Sequence, residues 1–286
     1  MDQENKTNRR RKPDWLKIRV PGGKEYLKVK DIVKKHKLHT ICGSGLCPNM
    51  CDCWGRGTAT LMILGDICTR SCKFCATKSG KPLAVDWDEP RRVAESVKLM
   101  KLKHVVLTSV DRDDLQDGGA ALWEAVIKEI KKENPNTTIE GLIPDFDGKE
   151  KEILQVVKAG AEVISHNLET VPRLTEQIRS RAKYDVSLKT IRHIAEGGAI
   201  AKSGIMVGLG ETEEEIYKTM DDLLAVGCKV FTIGQYLQPT KEHLPVVNYV
   251  TPEMFEKYRK VGLEKGFTHV ESAPLVRSSY HAEKHV

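Results

Sequence analysis

The 286-residue chain contains no run of about 18 apolar residues and no apolar segment near its start that would serve as a secretion signal. From these absences we expect neither a membrane-spanning helix nor an exported protein. The opening stretch MDQENKTNRRRKP includes Asp2 and Glu4 and has no apolar stripe, so it also lacks the pattern of a mitochondrial targeting sequence. The sequence therefore predicts a cytoplasmic protein without a membrane partner.

Aromatic residues and excess charge are also scarce. Phe, Trp and Tyr make up 6% of the chain, and the formal net charge is only +6. Residues 1–12 hold five basic and two acidic side chains, which predicts a solvated, disordered tail. A nucleic-acid-binding arm is the alternative, but no recognition motif accompanies the basic run, and we expect no nucleic-acid partner. The mildly basic remainder would suit an acidic protein partner.

Cysteine, in contrast, is concentrated. The chain has eight cysteines, and seven of them fall within 34 residues, between Cys42 and Cys75. In a protein without a secretion signal such a cluster favours metal binding over disulfides. The hydrophobic content of 40% and the length are those of an ordinary globular protein with one domain of barrel size.

From Thr58 onward, short apolar runs alternate with segments of helical periodicity. We predict strands at 59–67, 104–110, 137–146, 161–169, 201–209 and 228–237, and helices at 89–101, 118–134, 149–160, 185–198, 213–227 and 251–266. Six strand–helix units predict a parallel sheet covered by helices. They are too few for a closed eight-stranded barrel, which leaves a partial barrel or an open doubly wound sheet. Either fold places its chemistry at the carboxyl ends of the strands.

The second cysteine triplet, Cys68, Cys72 and Cys75, directly follows the first of these strands with the spacing C-x3-C-x2-C. Three local thiolates would leave one iron of a four-iron cluster without a protein thiolate, and such an iron is open to a small molecule. A zinc loop completed by a distant histidine is the alternative. With Phe74 before the last cysteine and the βα units behind it, this segment resembles the radical SAM superfamily. That resemblance implies a cluster that binds S-adenosylmethionine and cleaves it to a 5′-deoxyadenosyl radical.

The first triplet, Cys42, Cys47 and Cys53, has the spacing C-x4-C-x5-C and encloses a further cysteine, Cys51. Three more thiolates so close together predict a second metal cluster, although spacing alone does not choose between iron–sulfur and zinc.

Together with the second triplet, this pattern resembles the lipoyl synthase family, and so do further runs along nearly the whole chain from Pro13 onward. These runs are KPDWLK (12–17), MILGDICTR (62–70), VVLTSVDRDDL (105–115), HNLETVPRL (166–174), SGIMVGLGET (203–212), IGQYLQPT (233–240) and VRSSYHA (276–282).

The resemblance implies an enzyme that inserts two sulfur atoms at carbons 6 and 8 of an octanoyl chain carried on a lysine of an acceptor protein. It implies two 4Fe-4S clusters and S-adenosylmethionine as cofactors, with the cluster on the first triplet supplying the sulfur. The implied partners are octanoylated lipoyl-acceptor domains, namely 2-oxoacid dehydrogenase E2 subunits and the glycine cleavage H protein, and an electron donor. The fourth ligand of the first triplet would be a serine of the RSSY motif, Ser279.

Three positions depart from the family pattern. Cys51 stands where a glycine is usual, so this thiol is either a bystander or an alternative ligand. Ser165 replaces an asparagine before His166, and Ser180 replaces a proline after Arg179.

By superfamily analogy we take Asn167, Glu169 and Arg181 as contacts of S-adenosylmethionine, or else as support for the strand end.

We therefore predict an α/β protein, a partial (βα)6 TIM-type barrel with N-terminal and C-terminal extensions. Its parts are a disordered basic tail (1–12), an extension with the auxiliary cluster motif (13–57), the radical SAM barrel (58–270) and a C-terminal segment (271–286) that supplies the serine. Two rivals are another two-cluster radical SAM enzyme and a zinc-bearing module that binds nucleic acid through its basic tail.

Overall fold

The computed structural model describes residues 12–17, 31, 39–40, 49, 53–54 and 58–286 of the chain. The strands within these ranges are β1 (His39–Thr40), β2 (Thr58–Ile63), β3 (Ile67–Cys68), β4 (Lys78–Ser79), β5 (His104–Ser109), β6 (Thr138–Leu142), β7 (Val163–Ser165), β8 (Ile200–Val207), β9 (Val230–Gln235) and β10 (His269–Ala273). The helices are α1 (Glu89–Met100), α2 (Ala120–Glu133), α3 (Glu150–Val157), α4 (Pro172–Ile178), α5 (Tyr184–Glu196), α6 (Glu213–Ala225) and α7 (Pro252–Lys265).

Eight of the strands form one sheet in the order β1-β2-β5-β6-β7-β8-β9-β10. All neighbours are parallel except β1, which is antiparallel to β2. Within the described residues the two edge strands, β1 and β10, do not pair with each other, so the barrel is open. The predicted partial α/β barrel is confirmed, and its six predicted strand–helix units are all present.

The helices cover the sheet with apolar stripes. In α2, for example, the residues that lie fully inside recur every three or four positions: Ala120, Leu122, Trp123, Val126, Ile127 and Ile130. Burying each large apolar side chain of this kind stabilises the fold by about 1.5–3 kcal/mol. β2 and β9 are buried along their whole length, as expected of parallel strands that are covered on both faces.

Among the elements that the periodicity did not predict are one strand of the main parallel sheet and one α-helix. Strand β10 crosses the predicted boundary between the barrel and the C-terminal segment at residue 270, and it extends the parallel sheet by a seventh strand. Helix α4 occupies seven residues between β7 and α5 in a stretch without a predicted element.

Part of the N-terminal extension is described. A short 3-10 turn, Asp14–Leu16, buries Leu16 against the domain and leaves Trp15 exposed. None of the helices among the described residues has the length and apolar content needed to cross a membrane.

Candidate active site

A cavity of about 480 Å³ lies at the carboxyl ends of the parallel strands. All three cysteines of the second triplet line it, as do Asn167 and Glu169. The structure therefore brings these predicted site residues together at the carboxyl ends of the strands. Apolar side chains from three strands and from two loops that follow strands complete the wall: Met62, Val110, Leu142, Ile205, Met206 and Leu237.

The cysteine loop, residues 68–75, is closed by a two-stranded ribbon. β3 ends at Cys68 and pairs in parallel with β4, and the amide of Gly80 donates to the carbonyl of Cys68 at 2.9 Å. The amide of Cys75 donates to the carbonyl of Cys72 at 3.0 Å, which closes a turn between the last two cysteines. His243 contacts the carbonyl of Cys75 through Nε2 at 3.0 Å.

The surroundings of Cys68 fit a thiolate that binds metal. Its Sγ accepts hydrogen bonds from the backbone amides of Arg70 (3.4 Å) and Asp111 (3.3 Å). In the protein without metal, burial and the nearby carboxylate of Asp111 raise the pKa of the Cys68 thiol to about 12. Because a metal binds the thiolate, cluster assembly must release this proton. Soft thiolate ligands suit iron–sulfur chemistry.

A buried arginine fixes the cysteine loop to the rim of the barrel. The Arg70 side chain is 4% exposed and bonds Asp113 and Asp145, each at 2.8 Å. Asp113 follows β5 and Asp145 follows β6, so Arg70 joins the loops after three successive strands. Burial alone would raise the pKa of Asp145, but the hydrogen bonds from Arg70 hold it well below its usual range. No motif in the sequence indicates that Arg70, Asp113 and Asp145 form this network.

Three polar side chains face the cavity from the neighbouring edge. Within the described part of the chain, Asn167 Oδ1 and Arg179 Nε are buried without a hydrogen-bond partner. Burial, opposed by the charge of Arg179, raises the pKa of the Glu169 carboxyl. A Cβ on Gly204 would lie 2.3 Å from Thr232 Oγ1 and 3.1 Å from Asn167 Oδ1, so glycine keeps this corner open. Unpaired polar atoms around an open corner fit a polar ligand such as S-adenosylmethionine.

The structure separates the two arginines that follow α4. Arg179 is buried, lines the cavity and donates from Nη1 to Ser187 Oγ at 2.8 Å. Arg181 lies outside the cavity, where its half-exposed side chain bonds Asp147 at 2.9 Å. The sequence-based choice of Arg181 as a ligand contact is not matched by this placement, since the chain leaves α4 at Ile178 and turns outward after Arg179.

Three further side chains have structural roles. His166 is a buried strand-end histidine with both ring nitrogens engaged, Nδ1 with Ile143 O and Nε2 with Ser187 Oγ. Cys228 is 1% exposed and packs in the core, and burial raises the pKa of its thiol to about 12. Ser180, a departure from the family pattern, accepts a hydrogen bond from the amide of Ser71 in the cysteine loop at 3.0 Å.

Cys42, Cys47 and Cys51 lie outside the described residues. Cys53 is 8% exposed, and its amide donates to the carbonyl of Asn49 at 3.0 Å. The Asn49 side chain in turn donates to the carbonyl of Leu275 at 2.7 Å. Ser279 is half-buried, immediately after Ser278, which lines the cavity. The region of the first triplet is thus joined to the C-terminal segment next to the cavity.

Fold and site together define a radical SAM enzyme, and a model of the radical SAM superfamily matches residues 62–223. A second model, for the N-terminal domain of lipoyl synthase, matches residues 2–47. The chain belongs to the lipoyl synthase family, as the resemblance predicted. It is therefore a sulfur-inserting radical SAM enzyme of lipoyl cofactor biosynthesis, which implies S-adenosylmethionine and iron–sulfur clusters as cofactors and a lipoyl-acceptor protein as substrate.

The relatives that establish this membership align with the chain over nearly their full length. The lipoyl synthase of Bacteroides fragilis (strain YCH46) is 64% identical over 276 residues, 96% of either chain. That of Phocaeicola vulgatus is 62% identical over 279 residues, 98% of either chain. That of Christiangramia forsetii is 56% identical over 284 residues, covering 99% of this chain and 97% of the relative. Both rival readings of the sequence are thereby excluded.

Solved structures at low identity share the fold. A methylornithine synthase superposes with a TM-score of 0.57 at 14% identity, covering 86% of this chain and 82% of that one. The FeFe-hydrogenase maturase from Carboxydothermus hydrogenoformans superposes with a TM-score of 0.54 at 14% identity, covering 91% and 77%.

Proposed function

We propose that this enzyme inserts two sulfur atoms at carbons 6 and 8 of an octanoyl chain bound to a lysine of an acceptor protein, using two 4Fe-4S clusters. The observation that carries the proposal is the single cavity that brings together a cysteine triplet, unpaired polar atoms and an apolar wall. When bound, S-adenosylmethionine and the clusters supply the radical, the electron and the sulfur.

Cys68, Cys72 and Cys75 would hold the cluster that binds S-adenosylmethionine. The chain's own part in this step is positioning, because Arg70 fixes the cysteine loop through Asp113 and Asp145. Backbone amides directed at Cys68 Sγ favour the thiolate form.

Asn167, Glu169 and Arg179 would contact S-adenosylmethionine. Asn167 Oδ1 is an acceptor for a hydroxyl or ammonium group, and Arg179 is a donor for a carboxylate. Arg181 is a predicted contact from the sequence, but the position of Arg179 on the cavity wall favours Arg179 as the arginine that does this.

Cys42, Cys47 and Cys53, completed by Ser279, would hold the second cluster, which supplies the sulfur. The link from Cys53 through Asn49 to Leu275 supports this assignment, because it joins the last cysteine of the triplet to the segment that carries the serine. Cys51 remains a bystander or an alternative ligand in this proposal.

The acceptors would be octanoylated domains of 2-oxoacid dehydrogenase E2 subunits and of the glycine cleavage H protein, with a separate electron donor. The apolar side of the cavity, formed by residues such as Met62, Leu142 and Met206, suits an eight-carbon chain. A cytoplasmic location and the absence of nucleic-acid and membrane partners stay predictions from the sequence.

The test mixes anaerobically reconstituted enzyme with S-adenosylmethionine, a strong reductant and an octanoyl-lysyl peptide. We expect brown protein with about eight irons for two four-iron clusters, and mass spectrometry that shows two sulfurs gained by the peptide. Deoxyadenosine without sulfur in the peptide would contradict the proposed substrate, and a colourless zinc-loaded protein would contradict the cofactors.

Single-cysteine variants then separate the two triplets. Cys42→Ala should still form deoxyadenosine and insert no sulfur, whereas Cys68→Ala should do neither. Cys228→Ala removes a buried thiol that does not line the cavity and is the matched control with both activities retained. If Cys42→Ala inserted sulfur normally, the assignment of the first triplet would fall.

A further inference from the structure

The C-terminal segment leads from the cavity to the opposite end of the barrel. Near its start, Val276 O occupies the space in front of Gly234, where an added Cβ would lie only 2.2 Å from it. Near its end, Glu283 accepts a hydrogen bond at 3.4 Å from Thr58, the first residue of β2. Since the cysteine loop follows the carboxyl end of β2, the segment passes from one end of the sheet to the other.

The length of this stretch is sufficient for that path. Nine peptide units separate Val276 from His285, and a chain of that length reaches about 30 Å when extended. A six-residue strand such as β2 measures about 20 Å. The stretch can therefore span the barrel and still include the 3-10 turn at Ala282–Lys284.

At the far end lies a fully buried ion pair that the catalytic proposal does not use. Lys202, on β8, donates to both carboxylate oxygens of Glu140 on β6, each at 2.8 Å, and neither side chain is exposed. Lys202 precedes by two residues Gly204, which lines the cavity. Alternate residues of a strand share one face, so the pair lies on the cavity face of the sheet but closer to the amino ends of the strands.

The third acceptor for this ammonium group comes from the chain terminus. His285 is 3% exposed, and its Nδ1 lies 3.3 Å from Lys202 Nζ. A lysine ammonium has three N–H donors and cannot accept, so Nδ1 accepts the remaining one and the imidazole is neutral. His269 packs on the same ring at 5.7 Å between centroids. The charged or titratable groups around the ring include Lys202 with its partner Glu140, and the histidines His269, His104 and His281.

We propose that His285 is a positioning residue: by accepting from the buried Lys202, it anchors the C-terminal segment under the cavity and thereby fixes the place of Ser279. Ser279 lies between two held points, Val276 against Gly234 and the fully buried Ala282 next to the anchor. The role assigned to Ser279 rests on the proposed function, whereas the anchor itself rests only on the contacts of His285.

Hydrogen exchange measured by mass spectrometry on the full-length, metal-free chain tests the anchor. In His285→Ala the ammonium of Lys202 loses an acceptor, and we expect exchange in a peptide covering 276–286 to be about tenfold faster. Exchange in α1 and α2 should be unchanged. His285→Asn keeps an acceptor oxygen near the position of Nδ1 and should restore slow exchange. Val286→Ala, at an exposed neighbouring side chain, is the matched control and should behave as the parent chain.

Unchanged exchange in His285→Ala would overturn the anchor, and so would faster exchange throughout the chain that His285→Asn does not correct. The positioning role is then read from reconstituted enzyme as sulfur inserted per deoxyadenosine formed. This ratio should fall in His285→Ala and recover in His285→Asn, while deoxyadenosine formation is maintained. A ratio that stays at the parent value despite faster local exchange would overturn positioning.

Ser279→Ala separates this inference from the proposed function. If Ser279→Ala retains full sulfur insertion, the ligand role of Ser279 is wrong, and the positioning claim fails with it. The exchange result for His285→Ala still decides whether the anchor exists, because it needs no cluster and no substrate.

Discussion

Two buried cations hold opposite ends of this barrel, and they differ in what they hold. Arg70 lies at the cavity rim with its side chain 4% exposed, and it faces Asp113, Asp145 and, at 3.4 Å, Asp111. Lys202 lies toward the amino ends of the strands with no exposure, and it faces one carboxylate, Glu140, and one neutral imidazole, that of His285.

The difference shows how the two parts of the site are organised. Arg70 stands inside the cysteine loop and binds it to loops of the same rim, so the site of the second triplet is assembled from adjacent strand ends. Lys202 bonds a residue 83 positions later in the chain. In our proposal it acts on the site of the first triplet only through the path of the C-terminal segment.

The largest effect is expected at the cavity rim. Arg70→Met leaves several buried carboxylates without a counter-charge, which should lower the free energy of unfolding by about 3–5 kcal/mol. Chemical denaturation of the metal-free chain measures this, and reconstituted protein should also contain less iron. Arg91→Met, which removes an exposed pair with Asp88, is the control and should cost at most about 1 kcal/mol. Equal losses in both variants would refute a special role for Arg70.

A somewhat smaller effect is expected at the base. Lys202→Met leaves Glu140 buried and unpaired and should cost about 3 kcal/mol. The double variant Lys202→Met/Glu140→Met removes both charges and should recover most of that loss in the same denaturation experiment. The C-terminal segment should still exchange fast in the double variant, because His285 no longer has its donor. Slow exchange there would show that the segment is held by other contacts.

The two buried ion pairs should lose their stabilising effect at different pH values. Burial and Lys202 lower the pKa of His285 to about 3, so an unfolded His285 binds a proton below its ordinary pKa of 6.5 while the anchored one does not. The anchor therefore weakens as the pH falls from 6.5 toward 3. The pair of Asp145 with Arg70 is lost only below 3.8, the ordinary pKa of the carboxyl.

At pH 5 we thus expect faster exchange in 276–286, after correction for the intrinsic rate, than at pH 8, with the cysteine loop still protected. His285→Asn should abolish this local change. Any loss of stability that comes from His166, whose pKa burial lowers to about 4, would remain in that variant. Faster exchange at pH 5 that stays confined to 276–286 in His285→Asn would contradict the assignment to this residue.

The smallest effect concerns the two arginines after α4. Arg179→Gln should weaken S-adenosylmethionine binding by about tenfold, because a charged donor on the cavity wall is lost. Arg181→Gln breaks a half-exposed pair with Asp147 and should leave binding unchanged. Equilibrium binding to reconstituted enzyme measures both. The reverse order of effects would support the choice of Arg181 made from the sequence.

The parts of the fold that periodicity could predict are those with long, regular patterns. Six strands and six helices had such patterns. Their alternation also predicted that the site lies at the carboxyl ends of the strands. Strand β10 was not predicted because its polar sequence HVESA lies at the sheet edge and has only one buried residue. Helix α4 was not predicted because its seven residues contain too few turns for a periodic signal.

In the site, too, residues that are close in sequence could be predicted and residues that are far apart could not. Cys68, Cys72 and Cys75 are close in sequence, so their spacing alone indicated a common ligand. Arg70 and Asp145 are 75 residues apart, and nothing local in the sequence pairs them. Lys202 stands within an apolar strand and gave no signal, because its partners come from β6 and from the end of the chain. Only the path of the chain after α4 decides which of Arg179 and Arg181 lines the cavity, and the sequence does not show that path.

The most direct test of the whole account is the ratio of sulfur inserted to deoxyadenosine formed, measured for the parent enzyme and Ser279→Ala with an octanoyl-lysyl peptide. We predict that Ser279→Ala continues to form deoxyadenosine while the ratio falls toward zero, because the two triplets serve separate steps. An unchanged ratio, or a loss of both products together, would contradict it.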